Sequence, residues 1–260
     1  MNGALNGQSV IVFGASGRVG ADVCIYLARQ GANVAVHYHS NDVSANEIVQ
    51  AIKHTGGNAC LLRADLSNLW EVDNCVEKAV KHLGRIDAAV NMMHKDKEFT
   101  PVLISDMDWE INWMPHIDSM KANFNICKAV LPYMRKQQYG RIVYISGGLA
   151  FRFFEGCSQF SAAKAGMNAF CKTLAMEEGK NNITVNVVAP GKVVRPGDSV
   201  HDISGEWEKM EARQLQNNPL GRFCTPNDVA SAITSFLIPS ASYITGQTIY
   251  LAGGEIMPMP

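Results

Sequence analysis

The stretch that decides the fold is SVIVFGASGRVG, residues 9–20. Its first five residues are mostly apolar and β-branched, as in a short buried strand, and a glycine-rich turn follows. At such a strand-to-helix junction, glycines allow a tight turn and close approach of a pyrophosphate. The helix N-terminus supplies N–H groups and positive potential. The stretch therefore predicts a dinucleotide site whose phosphate loop comprises Gly14, Ser16, Gly17, Arg18, Val19 and Gly20.

Strand and helix signals alternate through the remainder of the 260 residues. We predict strands over residues 9–13, 33–38, 59–63, 86–91, 141–146, 184–189 and 248–251. We predict helices over residues 18–30, 46–54, 70–82, 120–136, 158–179 and 229–237. This alternation predicts an α/β fold of the Rossmann type, a doubly wound parallel seven-stranded sheet with helices on both faces.

Because no linker or internal repeat interrupts this pattern, we interpret residues 1–260 as one dinucleotide-binding domain. A longer stretch without the repeating pattern covers about residues 192–220 and contains a predicted helix over 206–216. Long loops in compact domains frequently carry function, so we interpret this one as a substrate loop, the alternative being a surface excursion.

Composition excludes several classes of partner. The net charge is −1, which argues against nucleic-acid and anionic-membrane binding. The seven cysteines are odd in number and scattered, without a CxxC pair or a metal-ligand cluster, so we expect reduced thiols and no metal site. The N-terminal residues do not resemble a signal peptide, and no apolar run approaches a length of about 18 residues. We therefore expect a cytoplasmic protein.

The end of the second predicted strand bears on the choice of cofactor. An acidic residue there would bind the adenosine ribose hydroxyls and repel a 2′-phosphate. The chain instead reads Tyr38, His39, Ser40, and Arg18 in the phosphate loop is a candidate contact for the phosphate. We therefore expect NADP(H), with NAD(H) as the alternative.

Several further motifs, in the correct order, resemble those of the short-chain dehydrogenase/reductase family. They are ADL at residues 64–66, VN at 90–91, SAAKAG at 161–166, VNVVAPG at 185–191 and ITGQ at 244–247. The resemblance extends from about residue 8 to residue 254. It implies the same fold and a nicotinamide cofactor, with further contacts from Asp65, Leu66, Asn91, Lys164, Pro190 and Gly191.

The same resemblance implies an altered catalytic site. Family members transfer a proton through a Tyr-x-x-x-Lys pair, and here Lys164 is kept while Phe160 occupies the tyrosine position. The serine position holds Gly147, with Ser146 one residue away. The family asparagine aligns with either Ser119 or His116, because about three extra residues intervene. Where the family has Asn-Asn-Ala-Gly, this chain has Asn-Met-Met-His at residues 91–94. A positioned general acid typically contributes about 10²–10⁴-fold, so ordinary ketone reduction should be weakened.

Three functions stay open at this point. The first is an NADP(H)-dependent reductase with a non-standard proton route, acting on an iminium, enone or carbonyl of a small hydrophobic substrate. The second is a non-redox cyclase, isomerase or dehydratase, by analogy with family members in biosynthesis of natural products. The third is a cofactor-binding pseudoenzyme. Alternative proton donors are His94, His116, Cys157 and Ser158, and a predicted apolar pocket contains Phe151, Phe153, Phe154 and Phe160.

The resemblance also implies assembly into a homodimer or homotetramer through the helices predicted over 120–136 and 158–179. The small and apolar residues that suit such a face are Ala129, Val130, Ala165, Ala169 and Leu174, although the same residues also suit burial against the sheet.

Overall fold

The computed structural model describes residues 3–93, 100–195, 212–255 and 257. Within these residues seven strands form one sheet in the order β3-β2-β1-β4-β5-β6-β7, and every neighbouring pair is parallel. The strands are β1 (Ser9–Phe13), β2 (Asn33–Tyr38), β3 (Ala59–Arg63), β4 (Ala88–Asn91), β5 (Gly140–Ile145), β6 (Ile183–Pro190) and β7 (Thr248–Leu251). The predicted Rossmann-type fold is confirmed.

Helices cover both faces of the sheet. They are α1 (Arg18–Arg29), α2 (Asp42–His54), α3 (Leu69–Leu83), α4 (Met114–Gln137), α5 (Ser158–Glu178) and α6 (Pro226–Leu237). Residues of α3, α4 and α5 bury one hydrophobic core against the sheet, and residues of α1, α2 and α6 bury the other. Because helices cover both faces of the sheet, its central strands are continuous apolar runs. Such runs are easy to recognise in the sequence.

The largest boundary difference is at α4, which begins at Met114 instead of residue 120. A π-helical turn, Trp109–Trp113, precedes it, and Asp108 caps that turn by accepting a hydrogen bond from the Ile111 N–H. Pro115 lies in the first turn of α4, where its missing N–H costs nothing. A π turn can absorb an additional residue without breaking a helix.

The predicted substrate loop is described only at its two ends, since residues 196–211 lie outside the described part of the chain. Val193 and Cys224 form a parallel bridge that brings these ends together. The Arg195 guanidinium donates to the Asp22 carboxylate on α1, with Nε 2.9 Å from Oδ2. Of the predicted helix over 206–216, residues 212–216 are described and are helical.

The residues of the predicted assembly face divide into two groups. Ala129, Val130 and Leu174 are buried in the core beneath α3, α4 and α5, because the apolar side of each helix packs on the sheet. Ala165 and Ala169 are exposed on α5. Among the described residues, no helix is long and apolar enough to span a membrane.

Candidate active site

The phosphate loop between β1 and α1 requires glycine at two positions. Gly14 has φ +75°, a left-handed conformation, and a Cβ there would lie 2.9 Å from the Met93 backbone nitrogen. A Cβ on Gly20 would lie 2.7 Å from both the Gly14 and Ala15 carbonyl oxygens. The loop therefore packs against the segment after β4 at Gly14, and α1 packs against the loop at Gly20, more closely than a side chain would permit.

The N-terminus of α1 is available to an anion. Gly17 is the N-cap residue and supplies no side-chain cap, and the first turn contains no acidic residue. Ser16 and Val19 are half-buried, and Gly17 and Arg18 are exposed. First-turn N–H groups without a side-chain cap, together with the helix dipole, fit the pyrophosphate of a dinucleotide.

His37 on β2 fixes the phosphate loop, a role that sequence reasoning missed. Its Nδ1 accepts a hydrogen bond from the Gly14 N–H at 3.1 Å, so the ring proton is on Nε2, which donates to the Ala64 carbonyl at 3.1 Å. The ring is 2% exposed, and burial lowers the pKa of His37 to about 4. The neutral ring thus connects the loop to the end of β3. A histidine among apolar strand residues was the available signal.

We predict a pH-dependent stability from this ring. Between about pH 6.5, the ordinary histidine pKa, and about pH 4, the unfolded chain binds a proton that folded His37 does not. The free energy of unfolding should therefore fall by about 3 kcal/mol across that window, and this contribution should stop changing below it. Urea denaturation from pH 4 to 7.5 measures this loss.

The variant His37→Phe keeps a packed ring but does not titrate, so its stability should change less across the window. Exposed His82, near the end of α3, provides the control variant His82→Asn. Equal pH dependence in the parent and in His37→Phe would contradict the assignment.

Basic groups lie at the tip of β2. Tyr38 is half-buried, and His39 and Ser40 are exposed. Arg63, at the end of β3, is exposed and its Nε donates to the His39 carbonyl at 3.3 Å. Sequence reasoning missed Arg63, because its proximity to the β2 tip arises from strand pairing, in which Tyr38 is the partner of Arg63.

The other predicted cofactor contacts lie at the carboxyl ends of the strands, where ligands bind in open α/β sheets. Asp65 follows β3, and its Oδ1 accepts from the Ser67 N–H and hydroxyl. Leu66 is buried, and its carbonyl accepts from Asn125. Pro190 ends β6, and the Gly191 N–H donates to the Leu251 carbonyl on β7.

Asn91 at the end of β4 is buried. Its Nδ2 donates to Asn123 Oδ1 on α4 at 2.9 Å, and its Oδ1 accepts from the Met93 N–H. The first bond ties β4 to α4, and the second holds the turn that follows β4. Met92 and Met93 are half-buried and pack against opposite cores, so part of their bulk is absorbed inside the protein.

Phe160 on α5 is the meeting point of the predicted catalytic positions. The His116 ring contacts it edge-on, with centroids 5.7 Å apart, and the Lys164 Nζ is 5.7 Å from its centroid. A Cβ on Gly147 would lie 3.4 Å from Phe160 Cε1 and 3.6 Å from its Cζ. The structure therefore brings together four side-chain positions, and none of them offers a phenol.

Lys164 is buried and faces β5. Its Nζ donates to the Ile145 carbonyl at 3.0 Å and lies 3.3 Å from the Tyr144 hydroxyl. Burial lowers the pKa of Lys164 to about 8. Burial thus disfavours the charged form of this amine.

The two candidates for the asparagine position are separated by the fold. His116 is buried against Phe160, whereas the Ser119 hydroxyl, one turn further along α4, donates to the Pro115 carbonyl. Ser146, the residue next to the serine position, is buried, and its N–H donates to the Val188 carbonyl on β6. Of these three residues, His116 is the one whose contact with Phe160 is described.

Other predicted donors are less suitable. Cys157 is buried, and burial raises the pKa of its thiol. Ser158 is exposed, with its hydroxyl directed at the Met107 sulfur. His94 lies outside the described residues.

The four predicted pocket phenylalanines have different surroundings. Phe151 packs edge-on against Tyr250, Phe153 is 73% exposed, and Phe154 lies beneath the Arg152 guanidinium. The Phe160 ring contacts His116. The described ring contacts of Phe151, Phe154 and Phe160 are thus with three different neighbours, and a shared apolar pocket stays a prediction.

Comparisons with known proteins agree with this geometry. Residues 14–255 match the protein family described as Enoyl-(Acyl carrier protein) reductase. A 3-oxoacyl-[acyl-carrier-protein] reductase from Synechocystis sp. is 34% identical over 256 residues, covering 98% of this chain and 99% of the relative.

Two solved structures share the fold over nearly their whole length. The 7 alpha-hydroxysteroid dehydrogenase complexed with NADH and 7-oxo glycochenodeoxycholic acid is 27% identical, with a TM-score of 0.84, covering 96% of this chain and 94% of that one. A Burkholderia xenovorans protein described as a short-chain dehydrogenase/reductase is 26% identical, with a TM-score of 0.85 and coverage of 97% and 98%. The glycine cradle, the fold and these similarities together make the chain a member of the short-chain dehydrogenase/reductase family of oxidoreductases.

Proposed function

We propose that this chain is an NADP(H)-dependent reductase with a non-standard proton route, acting on an activated carbonyl, enone or iminium of a hydrophobic substrate. The observation that carries the proposal is the Phe160 ring, packed among Gly147, His116 and Lys164 beside a glycine cradle that fits a pyrophosphate. The glycine cradle and Lys164 fit a dinucleotide cofactor. Position 160 has no phenol that could protonate an alkoxide.

Each part of the proposed site has a separate role. The backbone of residues 14–20 would hold the pyrophosphate, and Lys164 would hold the nicotinamide ribose. When bound, the dinucleotide supplies the hydride. Phe160 excludes water and presents an apolar surface to the acceptor. An iminium needs no proton at nitrogen after hydride addition, and a conjugated acceptor can be protonated away from the Phe160 position.

His116 is the proposed proton donor when one is needed. It lies against Phe160, so it approaches the same volume from α4. An imidazole can donate and accept near neutral pH, which suits general acid catalysis.

The relatives support hydride chemistry but differ in the bond concerned. One name describes reduction of a 3-oxoacyl group, the family description refers to an enoyl group, and the hydroxysteroid dehydrogenase is a complex with NADH. All three name a carbonyl, alkene or alcohol on a hydrophobic carbon skeleton. We therefore propose the same broad substrate class for this chain.

The NADP(H) preference is tested at Arg63 and Arg18. Arg63→Gln should weaken NADPH binding about 10-fold while leaving NADH binding within about 2-fold, because only the 2′-phosphate pairs with the guanidinium. Arg18→Gln should act in the same direction. Calorimetric titration with both dinucleotides measures the difference, and exposed Arg29 at the far end of α1 provides the control, Arg29→Gln. An equal loss for both dinucleotides would contradict a phosphate contact.

The function itself is tested by binding and turnover together. NADPH should bind, and hydride from 4-deuterated NADPH should appear in products from an enone or iminium panel, with simple ketones reacting poorly. Binding without transfer to any acceptor would favour the pseudoenzyme or a non-redox catalyst. Cofactor-independent conversion of a substrate would establish the non-redox catalyst.

We also propose a homodimer or homotetramer. The support is that Ala165, Ala169 and half-exposed Phe124 lie on the outward sides of α5 and α4. The buried members of the predicted face take no part in this proposal.

A further inference from the structure

We infer that Tyr144 is a positioning residue for Lys164, so that the lysine amine is held by strand β5 instead of by a tyrosine on its own helix. The inference rests on the proposed function, because it concerns the same cleft. It assigns a role to a side chain that sequence comparison with the family does not select.

The geometry behind this inference is a buried contact between two elements. Tyr144 lies on β5 and is 4% exposed, and Lys164 lies on α5 and is 6% exposed. The Lys164 Nζ is 3.3 Å from the Tyr144 hydroxyl and 5.0 Å from the centroid of its ring. The adjacent residue of the strand, Ile145, supplies the second contact through its carbonyl at 3.0 Å. Two consecutive strand residues thus bind one amine.

The position of Phe160 explains why such a support is needed. A tyrosine at position 160 would place a hydroxyl at the end of the ring, whereas phenylalanine presents only its π face or edge to the amine. A buried ammonium without hydrogen-bond partners is strongly destabilising, so the Lys164 amine needs acceptors other than residue 160. Tyr144 and Ile145 supply these acceptors from strand β5.

The charges around Lys164 are few. Burial is the cause of its lowered pKa, with no carboxylate among the described residues contributing. The titratable groups that face the pair are Tyr144 itself, Cys171 on α5 beside Tyr144, and His116 on α4 across the Phe160 ring. The geometry alone assigns the Tyr144 hydroxyl, 3.3 Å from Nζ, as the side-chain acceptor for the charged amine.

The two contacts with β5 determine where the remaining N–H donor of Lys164 points. A lysine ammonium has three N–H donors, of which β5 engages two in the described structure. The third is left for the cleft, where it can reach a ribose hydroxyl or a substrate oxygen. Tyr144 fixes the direction of that donor without itself touching a ligand, since its ring is enclosed in the core.

The test measures the titration of Lys164 directly. In protein labelled with ¹³C at the lysine ε-carbon, the signal lost in Lys164→Met identifies Lys164, and its midpoint should lie near 8. Tyr144→Phe removes an acceptor that stabilises the ammonium, so the midpoint should fall by at least about 0.5 pH units. Half-buried Tyr139, just before β5, provides the control Tyr139→Phe, which should leave the midpoint unchanged.

The double variant Phe160→Tyr/Tyr144→Phe distinguishes a positioning role of the Tyr144 hydroxyl from a role of its ring in packing. Phe160→Tyr gives the amine a second phenol, so adding Tyr144→Phe to it should shift the midpoint by less than Tyr144→Phe does alone. NADPH affinity should fall about 3–10-fold in Tyr144→Phe and recover in the double variant.

The Lys164 midpoint tests the positioning role, and dinucleotide binding tests the proposed function. An unchanged midpoint in folded Tyr144→Phe overturns the inference, as does an equal shift in the Phe160→Tyr background. A shifted midpoint in a protein that binds no dinucleotide leaves the positioning role standing and overturns the proposed function instead.

Discussion

The double variant Phe160→Tyr/Gly147→Ser should reduce simple ketones at least about 10²-fold faster than the parent. A positioned general acid contributes about 10²–10⁴-fold, and the parent site holds an aromatic ring in place of that acid. Phe160 Cζ lies 3.6 Å from where a Cβ at position 147 would be, so the new phenol and the new serine hydroxyl would come within hydrogen-bonding reach. Lys164 is already in place, 5.7 Å from the ring centroid.

Both substitutions are compatible with the fold. Gly147 has φ −170°, extended backbone that any residue adopts, and the nearest atom to its added Cβ is at ordinary contact distance. The matched control is Phe154→Tyr, which adds a phenol to the neighbouring loop beside Arg152 and should bring no gain. Steady-state kinetics with NADPH and a ketone panel measures the effect. If the folded double variant shows no ketone reduction, the cleft differs from the family at more than these two positions.

Gly20→Ala should lower dinucleotide affinity by about 10²-fold or more. The added Cβ would meet two backbone carbonyl oxygens at 2.7 Å and the Ala15 Cα at 2.8 Å, and none of these atoms can rotate away. Either the phosphate loop or α1 must move, and a displacement of about 1 Å at a binding site costs on the order of 10²-fold. Calorimetry with NADPH gives the affinity, and thermal unfolding should show a loss of roughly 1–3 kcal/mol from overpacking.

Two other glycines provide controls for this substitution. Gly17→Ala meets its nearest atom at 3.3 Å in a conformation open to alanine, so it should keep the fold while weakening binding at the exposed face of the loop. Gly179→Ala meets nothing within 4 Å and should change neither property. Unaltered NADPH affinity in Gly20→Ala would show that the loop does not hold the pyrophosphate.

The fold was predictable because burial on both faces of a parallel sheet leaves continuous apolar runs. The strand bounds of β1, β2, β3 and β7 agree with the prediction to the residue. The start of α6 was placed late, at residue 229, although the Thr225 and Asp228 side chains form a capping box that the sequence contains. The start of α4 was harder to predict, because the preceding π turn has no recognisable spacing.

The candidate site was only partly predictable. Lys164, Phe160 and Gly147 were found by their spacing in the chain, and the structure shows that they adjoin one another. Three further contributors, His37, Arg63 and Tyr144, lie on strands, where polar residues were read as part of the sheet. Their roles depend on which strand or helix pairs with them, and local sequence does not contain that information.

The sequence by itself determined the order of strands and helices, the glycines of the phosphate loop and the absence of a phenol at position 160. These are properties of single residues and short spacings, which steric and burial preferences fix locally. Only the tertiary structure decided that the His116 ring contacts Phe160, that His37 accepts a hydrogen bond from Gly14, and that the Tyr144 hydroxyl lies next to the Lys164 amine. These contacts join residues 20 or more positions apart, and packing between separate elements brings them together.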